Sequence, residues 1–154
     1  MKTKYDSTPD TAAHIKRVRE LIYAFTANLE RRAVWHDISK LEEEEKPFFD
    51  KLTPKLNSVA YGSEEYLACL RKLEPALKHH YKVNRHHPEF HANGVYGMSL
   101  LDLLEMLADW KAAGERHASG SMERSLVLNQ DRFQIDATLQ GFLERTADEM
   151  GWRA

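Results

Sequence analysis

The chain has 154 residues, 42% of them hydrophobic and 30% charged, which suits a globular domain with a core of its own. Its formal net charge of -2 supplies no overall basic field of the kind that draws in long nucleic acids. The single cysteine, Cys69, excludes an internal disulfide framework and a cysteine-built zinc site.

No apolar run approaches the roughly 18 residues of a membrane span. The opening MKTKYDSTPD lacks the apolar core of a signal peptide. A cytoplasmic setting is therefore expected.

In chain order, Ser7-Thr8-Pro9-Asp10 is a helix-start cluster. Behind it Ile15, Val18, Leu21, Ile22, Phe25 and Leu29 recur at helical spacing, with His14 on the same face. An imidazole there needs a partner, because burying it unpaired is costly. A second short helix is expected over Ala33 to Asp37. Glu42 to Glu45 reads as a solvated helix face. Ser39 and Glu42 have capping-box spacing for another helix, which Pro47 limits or kinks.

Leu52 to Gly62 reads as loop. Ser63 can cap a long helix through Tyr66, Leu67, Leu70, Leu73 and Leu77, split or bent at Pro75. It is expected to end near His87, because the residue before a proline disfavours the helical region. His91 to Gly97 is turn-rich. Ser99 and Asp102 have capping geometry for an amphipathic helix carrying Leu100, Leu103, Leu104, Leu107 and Trp110. Gly114 to Ser121 reads as loop, and a last helix is expected over Met122 to Met150. Nothing alternates with period two. The predicted fold class is all-α, a single-domain bundle of five to six helices spanning 1–154.

Half of the eight histidines fall between His79 and His87. Leu70, Leu73, Leu77, His80, Asn84 and His87 are spaced by three, four, three, four and three, so one helix face begins with leucines and ends with ligand-type residues. That favours His80 and His87 over His79. On a loop, His86 and His87 could both reach the same cluster. His14, His36-Asp37, these histidines, and Asp102 and Asp109 seven residues apart make a mixed imidazole and carboxylate set. Such a set suits zinc, iron, manganese or nickel, and it is large enough for two ions. Asp102 also reads as a first-turn helix residue. His79, His91 and His117 read as exposed or structural, and Trp35 and Trp110 as core.

The order of these groups resembles the HD-domain superfamily of metal-dependent phosphohydrolases. "HDISK" (His36 to Lys40) is similar to the HD signature of the HD-GYP branch. "HHPEFHANGVYG" resembles that branch's paired histidines followed by an acid and a Gly-Tyr turn. "ADWKAAGERH" resembles its final-aspartate segment. Gly97 stands where the branch has proline, and the spacing from His36-Asp37 to His86-His87 is compressed. The chain thus looks like a short, stand-alone HD-like family of the kind found in bacterial and phage genomes. The resemblance covers roughly Asp10 to Arg124.

It implies metal ligation by His14, His36, Asp37, His80, His87 and Asp109, with His86 as an extra ligand. Two divalent transition-metal ions (Mn, Fe, Ni or Zn) would be the cofactors, bridged by Asp37. Asp37 and Lys40 would be catalytic, Lys40 meeting a substrate phosphate. Arg116, Arg124 and Arg132 are further phosphate candidates by charge and position. Glu89 would orient a ligand histidine, Asp10 would do the same or cap its helix, and the Gly-Tyr turn would shape a wall of the substrate pocket. The implied activity is hydrolysis of a small phosphorylated metabolite or nucleotide by a metal-bound hydroxide. No membrane or long nucleic acid partner is expected. The alternatives are a di-iron oxygenase of the same superfamily, like myo-inositol oxygenase, and a non-catalytic, metal-stabilised binding protein.

Overall fold

The structure, a computed structural model, describes residues 5–59, 63–116 and 120–153. Among these residues it is all-α, with six α-helices and no strand. The chain divides into two compact units, Met1–Trp35 and His36–Ala154. Among the described residues, no helix is long and apolar enough to cross a membrane.

The first unit is one helix, α1 (Thr8–Trp35). Asp6 accepts the Thr8 N–H at 2.9 Å at its start. The separate helix expected over Ala33 to Asp37 does not form. Glu30-Arg31-Arg32 contains no glycine or proline to break the first one, so α1 runs on to Trp35. The stripe Ile15, Val18, Ile22 and Phe25 is exposed, and so is Trp35, which was expected in the core.

The second unit opens with a turn at Asp37, whose φ is 57°. A 3-10 turn over Ile38–Leu41 follows, in place of the expected capped helix. Ser39 is buried there, and its hydroxyl accepts from the Asn84 side-chain amide at 2.8 Å. Next comes α2 (Lys46–Ser58), with Pro47 in its first turn, where a missing N–H is harmless. The helix continues through Pro54 to Ser58, across most of the segment expected as loop, and residues 60–62 lie outside the described residues.

α3 (Glu64–Val83) begins as expected, with the Ser63 hydroxyl accepting the Tyr66 N–H at 3.1 Å. Pro75 does not split it. It ends at Val83, four residues before His87, because Asn84 leaves the helical region and turns its side chain back to the His80 carbonyl at 2.9 Å.

α4 (Leu100–Glu115) carries the expected capping box, with Ser99 and Asp102 bonding each other's backbone N–H at 3.2 and 2.8 Å. It takes in the start of the segment expected as loop. The single last helix is in fact two, α5 (Met122–Phe133) and α6 (Ala137–Glu149). Gln134 in the left-handed region ends α5, and Asp136 caps α6 by accepting the Leu139 N–H at 2.9 Å. These two local signals interrupt an otherwise continuous apolar period.

α4, α5 and α6 close over Val95, Met106, Leu107, Trp110, Met122, Leu126, Ile135, Leu143 and Ala147. Trp110 stacks flat against Phe133. On the other side α2 packs on α3, burying Leu52, Cys69, Leu73 and Ala76. The histidine segment runs between α3 and α4.

Candidate metal centre

Three local structures deliver the polar groups. The left-handed turn at Asp37 places His36 and Asp37 side by side, Nε2 to Oδ2 at 3.6 Å. The last turn of α3 supplies His79 and His80. The turn after Asn84 supplies His86 and His87, which is why both reach the cluster when a continued helix would have separated them by 100°. From α4, Glu105 and Asp109 share a face with Asp102 at spacings of three and four.

The loop is held by its own network. Asp102, fully buried, accepts two bonds from Arg85 at 3.2 Å and one from the Ser99 hydroxyl at 2.7 Å, beside its cap bond. The His91 Nε2 meets the Arg85 carbonyl at 2.9 Å. Tyr96 donates to the Gln134 carbonyl at 3.1 Å and accepts the Asp136 N–H at 2.7 Å. The Gly-Tyr turn therefore anchors the loop to the α5–α6 junction; Tyr96 is not part of the cavity described below.

Asp37 is the focus. Its Oδ1 lies 3.1 Å from His80 Nε2 and 3.4 Å from His86 Nε2. Its Oδ2 is bonded to the Lys40 ammonium. His80 Nε2 is 2.9 Å from His87 Nε2, and His36 Nε2 is 3.6 Å from Asp109 Oδ1. Two sets of atoms thus lie close enough to share an ion: Asp37, His80, His86 and His87, and His36, Asp37 and Asp109, with Asp37 common to both. His36, His86 and Glu105 form a third such set.

The donor set fits a cation. Asp37 Oδ1 and His86 Nε2 are buried without a hydrogen-bond partner, an arrangement that proteins otherwise avoid. The Nε2 atoms of His80 and His87 lie within hydrogen-bond distance, so in the metal-free protein one of them carries the proton that an ion would displace.

The electrostatics agree. Burial works against a charged Asp37, but the His80 and His86 rings beside it and the Lys40 charge hold its carboxyl well below the usual range. The Asp109 and Glu105 carboxylates beside it raise His36 to about 10. Burial, with His86 and His80 nearby, lowers His87 to about 3, leaving it neutral. Asp109 is penalised by burial, yet the neighbouring His36 brings it below its ordinary value.

Of the predicted ligands, His36, Asp37, His80, His86, His87 and Asp109 come together. His14 belongs to the other unit, where it is exposed on α1. Asp10, also on α1, accepts a hydrogen bond from Tyr5. Glu89 orients no ligand histidine; it pairs with Arg132 at 2.8 Å, and the same guanidinium meets Tyr81. Arg132 is thereby engaged in holding the loop. Arg124 is exposed in the first turn of α5. Lys40 and Arg116 line one cavity of about 710 Å³ together with Phe49, Asn57 and Tyr66. His117 lies outside the described residues.

Two acids went unread in the sequence. Glu45, expected on a solvated face, is fully buried, with His79 Nδ1 at 2.8 Å and His80 Nδ1 at 2.9 Å. His79 is accordingly half-buried and structural. Glu105 lies 3.0 Å from His36 Nδ1 and 3.3 Å from His86 Nδ1. Its spacing of four from Asp109 was the available signal. Glu45 offered none, since only its position at the start of α2 turns it inward.

Fold and site together define an all-α protein whose second unit carries a buried histidine and carboxylate cluster able to hold metal. The chain belongs to DUF5662, a family of unknown function, whose model matches residues 3–150. No curated protein matches it, and neither does any solved structure.

Proposed function

We propose that the protein is an HD-like, metal-dependent phosphohydrolase acting on a small phosphorylated metabolite or nucleotide. The observation that carries this reading is the convergence of His36, His80 and His86 Nε2 atoms on one carboxylate, Asp37, with buried atoms left unpaired at the centre. Two divalent ions held by His36, Asp37 and Asp109, and by Asp37, His80, His86 and His87, would supply Lewis acidity and an activated water.

The chain's own residues do the rest. Lys40, bonded to Asp37 and lining the neighbouring cavity, lies where it can bind a phosphoryl oxygen beside the cluster and offset charge that develops there. Arg116 adds a second cation in the same cavity, and Phe49 and Tyr66 give it aromatic walls on which a planar group can rest. The cavity volume suits a small ligand.

The test is elemental analysis of protein purified without added metal or chelator, followed by a phosphoester and nucleotide panel with the metal found. Two transition-metal ions per chain and turnover on the panel support the reading. No metal after reconstitution overturns it. Iron with oxygen consumption and no phosphate release overturns it in favour of an oxygenase.

A further inference from the structure

We infer that Glu105 and Glu45 are positioning residues that lock the cluster's histidines in the ligand tautomer, and that Glu105 ties the two ion sites together while Glu45 serves one alone. This rests on the metal cluster of the preceding reading. A neutral imidazole has one N–H and one lone pair. Glu105 Oε1 faces Nδ1 of both His36 and His86, at 3.0 and 3.3 Å. The Nε2 atoms of the same rings face Asp37 at 3.6 and 3.4 Å. With each Nδ1–H donated to Glu105, both lone pairs are on Nε2 and aimed at the centre.

This geometry also decides among the three overlapping ligand sets. An ion between His36, His86 and Glu105 would take the Nδ1 lone pairs and move both protons to Nε2. That would remove His36 from one of the other sets and His86 from the other. The pair of sites sharing Asp37 draws on six residues, and the third set on three. Glu105 is therefore an acceptor behind two ligands and not a ligand itself.

Glu45 repeats the device on one side. Its two carboxylate oxygens take Nδ1 of His79 and His80 at 2.8 and 2.9 Å, in a fully buried position. Only His80 among these faces Asp37. His80 belongs to the set with His86 and His87, whereas Glu105 backs one ligand of each set. The two acids should thus differ in how many ions they affect.

Calorimetric titration of the metal-free full chain with Zn²⁺ alone tests this. The wild type is expected to take two ions. Glu105→Gln, which keeps the shape and removes the charge, should weaken both by about 10- to 100-fold. Glu45→Gln should weaken one by a similar factor and leave the other within about twofold. Glu105→Asp, which restores the charge, should recover part of the loss. Circular dichroism of each metal-free variant establishes that it is folded. If Glu45→Gln does not fold, Glu105→Gln decides alone, through whether both ions weaken together. A folded Glu105→Gln that binds two ions like wild type, or weakens only one, overturns the inference while leaving the metal centre intact. A wild type that takes up no Zn²⁺ overturns both.

Discussion

Replacing Asp102 with alanine probes the part of the fold that presents His86 and His87. Asp102 is fully buried and accepts from the Ser99 N–H and hydroxyl at 2.8 and 2.7 Å and from two Arg85 nitrogens at 3.2 Å. Losing its half of the capping box costs about 1 kcal/mol. Breaking a fully buried ion pair costs roughly 3–5 kcal/mol, but the Arg85 side chain is 54% exposed and can return to water. Its share falls to about 1–2 kcal/mol. The expected loss is about 2–3 kcal/mol, read from urea unfolding of the metal-free protein by circular dichroism. Arg85→Ala should cost less, because Ser99 still solvates the buried carboxylate. The double variant should be little worse than Asp102→Ala, since both changes remove the same pair. Because Arg85 adjoins His86, Zn²⁺ binding by Asp102→Ala should weaken as well. An Asp102→Ala protein within about 0.5 kcal/mol of wild type, or a double variant whose losses simply add, would refute the reasoning.

Asp37→Asn should abolish binding of both ions, since Asp37 belongs to both sets; inductively coupled plasma mass spectrometry that still finds one tightly held ion would contradict a shared carboxylate. The raised pKa of His36, about 10, means that an incoming ion must displace its proton, so affinity at the His36 site should rise about tenfold per pH unit through neutrality. The same shift makes His36 stabilise the metal-free fold fully below its ordinary value of about 6.5, with the contribution lost as pH rises through about 10. Calorimetry in buffers of different ionisation enthalpy checks the proton release, and a pH-independent affinity would rule it out. For whichever phosphoester proves a substrate, Arg116→Ala should raise KM by about tenfold with little change in kcat, as expected for a group that binds ground and transition states alike; an unchanged KM would remove that cavity from the site.

Much of the site was legible because it rests on local rules. The capping pairs at Ser63 and Ser99 place α3 and α4, and placing α4 carries Asp109 with it. The leucine-to-histidine face of α3 runs into His80, which the structure buries. The same rule was extended too far toward His87, since a face continues on paper whether or not the helix does. Asn84 ends α3 by bonding its own His80 carbonyl, and the resulting turn admits His86 as well as His87 to the cluster.

By itself the sequence determined the all-α class and most helix starts, whereas the residues grouped around Asp37 were named through the resemblance. The class and the helix starts follow from side-chain periodicity and hydrogen bonding within a few residues, which the chain carries wherever it goes. Only the tertiary structure decided the rest. It turned Glu45 out of an acidic run and into the interior, set Glu105 behind two histidines, and gave Glu89 to Arg132 instead of the cluster. Each of those choices depends on which distant group a long side chain meets. A glutamate looks the same in sequence whether it faces water or an imidazole 69 residues away.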